Sequence, residues 1–138
     1  MKYFTAVLLL VFSSSLLAEG DLTRRPEKLP ELVLGNYDDF FHMTEKRYDL
    51  ETGKAYSLKI VSSGMTEYAI HAPEFFDSIY LRKVEAGDIE IKAQSLTELE
   101  FEVEGEAEVF FVPIKPGVYK FYAAGLEGKG MVGEFHVK

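Results

Sequence analysis

A chain of 138 residues with 15 Lys and Arg against 23 Asp and Glu carries a formal net charge of −8. That excess of carboxylates disfavours long-range attraction to nucleic acid or to anionic lipid headgroups, and suits a cationic partner or a metal ion better. The chain has no cysteine, which excludes a disulfide framework, a cysteine-linked lipid and a thiolate metal ligand. The length suits one domain held by its own hydrophobic core.

Met1, Lys2 and Tyr3 open an apolar stretch, 4–17, broken only by Thr5 and Ser13 to Ser15 and followed by the small residue Ala18. One basic residue, about a dozen apolar residues and a small residue at the cut predict a cleavable signal peptide over 1–18, because a membrane-spanning helix needs about 20 apolar residues. Leu16 is larger than the residue usual near such a cut, and Glu19 and Asp21 provide no basic stop-transfer flank. Secretion to the periplasm is therefore expected. Residues 19–39 carry Pro26, Pro30 and mixed charges and read as an N-terminal extension, an arm or edge piece, ahead of a domain over 40–138.

From Phe40 onward apolar residues recur at every second position, as in Tyr56, Leu58 and Ile60, then Ile89, Ile91 and Ala93, then Leu99, Phe101 and Val103. Period two means strands with one buried face. Turn residues at Gly53, Gly64, Gly87, Gly105 and Pro116-Gly117, with glycines across 125–133, separate strands predicted at 41–50, 54–62, 67–72, 79–85, 88–94, 97–104, 106–112, 117–124 and 131–137. Short strands with regularly spaced turns predict an all-β sandwich or barrel.

Pro73-Glu74-Phe75-Phe76-Asp77-Ser78 breaks the alternation, since Pro73 cannot donate to a ladder and adjacent aromatics cannot share one strand face. It predicts a turn or one helical turn, with the two Phe side chains capping the core or, alternatively, offering a docking corner. The alternating carboxylates Glu98, Glu100, Glu102, Glu104, Glu106 and Glu108 predict a solvated strand face that also protects a sheet edge.

The run Phe111-Val112-Pro113-Ile114-Lys115-Pro116-Gly117-Val118-Tyr119-Lys120-Phe121-Tyr122 resembles the strand, Pro-Gly turn and Tyr-x-Phe strand that lead into the copper loop of cupredoxins. Gly128-Lys129-Gly130-Met131-Val132-Gly133 resembles the end of that loop, and Gly133-Glu134-Phe135-His136-Val137 its closing strand. Leu50 to Leu58 is similar to the start of the second strand, and Ile60 to Tyr68 to the segment that delivers the first histidine. The resemblance covers roughly 56–138 and implies a cupredoxin-like Greek-key β-sandwich of about seven to nine strands.

The same alignment of motifs places Ala123 at the family's cysteine, Leu126 at its loop histidine, Glu67 at its first histidine and Met131 at its axial methionine. A blue-copper centre needs two imidazoles and a thiolate, so a type-1 copper electron carrier is not expected. The EfeO-type cupredoxin-like domains of bacterial iron uptake are similar in their acidic-aromatic segment, here Glu74 to Ser78, ahead of a basic one, here Arg82-Lys83. They imply a carboxylate-based site. The metal candidates are Met131, His71, Glu67 and Glu74, for copper in a non-blue site or alternatively iron. A second set, Met43, Met65 and Met131 with His42 and His71, suits Cu(I) by ligand type.

Without a Gly-x-Ser-x-Gly elbow, a His-Glu-x-x-His helix or a phosphate-cradling loop, no enzymatic role is expected. Two functions stay open: metal binding or trafficking, or a metal-free interaction or scaffold module docking to a membrane or periplasmic protein. Direct lipid binding and nucleic-acid binding are not expected.

Overall fold

The computed structural model describes residues 24–138, so the predicted signal peptide and its cleavage site lie outside the described residues. The strands are β1 (Glu27–Lys28), β2 (Leu32–Leu34), β3 (Arg47–Leu50), β4 (Tyr56–Ser62), β5 (Tyr68–His71), β6 (Ile79–Ala86), β7 (Ile89–Ile91), β8 (Glu98–Phe101), β9 (Gly105–Pro113), β10 (Gly117–Ala123) and β11 (Val132–Val137). A helical turn, α1 (Pro73–Phe76), joins β5 to β6. One sheet runs β1-β4-β9-β6-β7, with β2 also pairing β4, and the other runs β3-β11-β10-β5-β8. The all-β sandwich predicted from period-two patterning is the observed fold.

The alternation fixes which side chains meet between the sheets. Leu58 and Ile60 of β4, Val109 and Phe111 of β9, Phe121 and Ala123 of β10, and Phe135 and Val137 of β11 are all buried. Their neighbours Lys59, Lys120 and Glu134 point the other way and are half-buried or exposed. α1 sits across the gap, as its Pro73 and its aromatic pair require. Phe75 is 2% and Phe76 6% exposed, and the Phe75 ring stacks on Phe135 with centroids 3.9 Å apart and packs edge-on to Phe111 at 5.3 Å. One side chain thus ties both sheets together, and the corner over 73–78 offers no exposed aromatic pair for docking.

Three predicted spans shrink to about half their length or less. The strand expected over 41–50 begins only at Arg47, because 35–44 folds as a loop: Asn36 Oδ1 accepts from the N–H groups of Asp38 and Asp39 at 2.9 and 2.8 Å, and Gly35 N–H donates to the His42 carbonyl at 2.8 Å. The strand expected over 88–94 ends at Ile91. The acidic strand expected over 97–104 stops at Phe101, and the carboxylates divide between β8, on a sheet edge, the bend over 102–104, and β9, in the middle of the other sheet. In the opposite direction, the expected arm contributes real pairing: Glu27 and Lys28 align with Tyr56 and Ser57, and Leu32 to Leu34 with Ile60 to Ser62, both parallel.

Candidate functional site

At one end of the sandwich, β10 turns into β11 through a short 3-10 turn at Glu127–Lys129, closed by Gly130 at φ 86°. Ala123 N–H donates to the Met131 carbonyl at 3.0 Å, and Leu126 N–H to the Ala123 carbonyl at 3.0 Å. Ala123 and Met131 are both 0% exposed, and Met43 is buried in the same core. The loop over 35–44 closes this end further. Tyr68, itself buried, donates its hydroxyl to the Phe40 carbonyl at 2.7 Å, Leu34 and Met43 form an isolated bridge, and Lys129 Nζ lies 5.3 Å from the Phe41 ring centre. Of the positions that the cupredoxin resemblance assigns to copper ligands, three thus hold the buried methyl group of Ala123, the half-buried Leu126 and the buried thioether of Met131, and the fourth holds Glu67, which is exposed. Those residues do not fit a blue-copper centre, which requires imidazole and thiolate donors around one point.

The four metal candidates are not brought together. Met131 faces the interior, while His71 lies on the outer face of its sheet, between buried Ile70 and buried Ala72. Two residues on opposite faces of one sheet cannot share an ion. His71 Nε2 instead meets the Glu98 carboxylate across the β5–β8 ladder, and its ring stacks on Tyr122 at 5.6 Å. Glu67 is exposed just before β5, and Glu74 is exposed in the first turn of α1. Of the second candidate set, His42 is exposed and Met65 half-buried, apart from the buried Met43. Among the described residues no group of three or more His, Cys, Asp or Glu side chains could hold a metal ion.

Hollows lie elsewhere. One of about 420 Å³ is lined by 99–107 with Ala86, where Glu100, Glu102, Glu104 and Glu106 gather; Glu106 is held by Lys59 at 2.8 Å. A groove of about 500 Å³ runs between the first half of β6 and Lys92, Ala93 and Gln94. It adjoins a second depression lined by Tyr80, Arg82, Lys83 and Lys92. Lys83 Nζ binds the carboxylates of Glu85 and Glu90, which raises the Lys83 pKa, and Glu90 is held below the ordinary carboxylate range by Lys92 and Lys83. Arg82 is the extra residue where the β6–β9 register shifts between Leu81 and Lys83, and its Nη1 is buried without a hydrogen-bond partner among the described residues. Sequence reasoning did not single out this groove. Its signal was a basic pair, Arg82-Lys83, followed by Lys92 in an otherwise acidic chain.

No family model matches the chain, and no curated protein matches it. Solved structures do. A multicopper oxidase from Campylobacter jejuni, described as a metallo-oxidase, matches with a TM-score of 0.57 at 12% identity, over 84% of this chain and 31% of that one. A laccase from Pediococcus acidilactici matches with a TM-score of 0.61 at 7% identity, over 86% of this chain and 28% of that one. The chain therefore has a cupredoxin-like fold and spans about a third of the length of these neighbours.

The comparisons also correct one expectation. The absence of hydrolase motifs led to a reading of no enzymatic role, whereas both neighbours are enzymes by name. A serine elbow or a zinc helix marks hydrolysis, and its absence says nothing about a fold that also makes up about a third of these oxidases.

Proposed function

We propose that this chain is a periplasmic binding module on a cupredoxin-like sandwich, exported by a signal peptide over 1–18, and that it works by docking a protein on its outer surface. The supporting observation is the filled end of the sandwich: Ala123 and Met131, both fully buried, occupy the interior where the resemblance puts copper ligands. A fold does not carry its relatives' function without the site. A second reading, copper in a non-blue site or iron, rests on the contact between His71 and Glu98 beside Tyr122, a two-donor surface site from which the inward-facing Met131 is excluded.

Calorimetric titration of the chain with Cu(II), with Cu(I) under reducing conditions and with Fe(III), repeated on His71→Ala and Met131→Ala, separates the two. The docking module binds no metal more tightly than about 1 mM, or 4 kcal/mol. Tight stoichiometric binding lost in Met131→Ala contradicts the docking module. Loss in His71→Ala alone establishes the surface metal site.

A further inference from the structure

β6 pairs with β9 along its length but with β7 only through Val84, Glu85 and Ala86. On its other side the stretch from Ile79 to Lys83 has no strand partner among the described residues, and no backbone hydrogen bond joins it to Lys92, Ala93 or Gln94 across the groove. An unpaired edge presents a row of N–H and C=O groups that templates another strand. Five residues span about 17 Å, the length of an ordinary short strand.

The two edges of the other sheet carry different side chains. β8 carries Glu98 and Glu100 on its exposed face, and β3 carries Arg47 closed onto Asp49 at 2.8 Å. The β6 edge has Tyr80, 52% exposed, and three cations, Arg82, Lys83 and Lys92, of which the two lysines share Glu90. Arg82 is left with a buried Nη1 that has no acceptor among the described residues. The Arg82 side chain lines the groove and the adjoining depression, and a carboxylate laid there accepts a charge-assisted bond from its guanidinium.

Resting on the docking reading above and deepening it, we infer that the groove beside Ile79 to Lys83 takes an extended segment of a partner protein by strand addition, with one acidic side chain set against Arg82. Backbone pairing supplies affinity and the carboxylate supplies specificity, as in other edge-adding recognition. A second copy of this chain is disfavoured as the occupant, because edge-to-edge pairing about a two-fold axis would bring Arg82 and the two lysines against themselves.

The probe is a capped peptide of about eight residues alternating valine and threonine with one central glutamate, long enough to cover the free edge, beside counterparts carrying glutamine or lysine. Amide chemical shifts and hydrogen exchange are followed across the chain. The glutamate peptide is expected to shift the amides of 79–83 and to slow their exchange about tenfold, binding about fivefold more tightly than the glutamine peptide. Arg82→Gln should erase that preference while the rest of the spectrum stays unchanged. Absence of protection at 79–83, equal binding of the lysine peptide, or a concentration-dependent dimer protecting the same amides without peptide would each overturn the assignment. If peptide protection is seen but tight copper binding is also found, the docking-only function falls and this site stands. If neither peptide nor metal binds, this site alone falls.

Discussion

Single residues hold the filled end of the sandwich in place. Gly35 sits at φ +70°, and a Cβ there would overlap the Tyr68 hydroxyl and stand 2.6 Å from Ser63 Oγ. Gly35→Ala therefore combines backbone strain with displacement of a buried tyrosine and should cost about 2 kcal/mol or more in a denaturant titration. Tyr68→Phe, which removes only the bond to the Phe40 carbonyl and leaves that oxygen near solvent-accessible loop, should cost about 1 kcal/mol. Tyr48 adds a pH dependence. Burial, reinforced by Glu45, pushes its phenol above the ordinary value, and burial does the same at Tyr56. Unfolded tyrosines ionise near pH 10 while these two keep their protons. Their stabilisation is therefore whole below about pH 10 and falls as pH rises beyond it. Tyr48→Phe should flatten that alkaline loss in urea midpoints measured from about pH 9 to 11, and an unchanged slope would assign the loss to other groups. None of these roles was legible in the sequence. Gly35 lies in what reads as an N-terminal arm or edge piece, and only the fold brings it against Tyr68.

Elements were far more legible than sites. Nearly every predicted strand exists, because one face of each must be apolar and the period of two is visible residue by residue. What shifted were ends set by side-chain hydrogen bonds, such as Asn36 capping the turn before Met43. Pro73 and the adjacent Phe pair correctly marked α1, and Phe75→Ala should be among the most damaging substitutions, about 3–5 kcal/mol by thermal unfolding, since its ring contacts Phe111, Tyr119 and Phe135 together. A loss under 1 kcal/mol would mean that α1 does not tie the sheets. The candidate metal residues were legible as types but not as a group. Strand period separates His71 from Met131 onto opposite faces, a consequence that only register reveals. The acidic run was read as edge protection, and β8 does lie on an edge; that β6 is the strand left half-covered depended on β7 being three residues long, ending before the chain reaches Lys92.

At the scale of the whole molecule, the cupredoxin-like architecture and the acidic surface are separate facts. The sandwich is shared with units of much larger oxidases, while the net charge of −8 sets the approach of partners. Against that background the cationic groove on β6 is a local exception, and added salt should weaken an acidic peptide's contact with Arg82 less than it would a fully exposed pair, because the guanidinium is partly buried.

Packed side chains take the interior position that a copper centre would occupy. Adding Cu(II) to the chain while recording the visible spectrum and the thermal unfolding midpoint tests it directly. A copper site filled at a hundred times its dissociation constant would stabilise by about 2.7 kcal/mol, roughly a 10 °C rise for a domain of this size. With the interior filled, no intense blue absorption appears and the midpoint moves by less than about 1 °C. A blue product, or a rise of several degrees abolished by Met131→Ala, would contradict it.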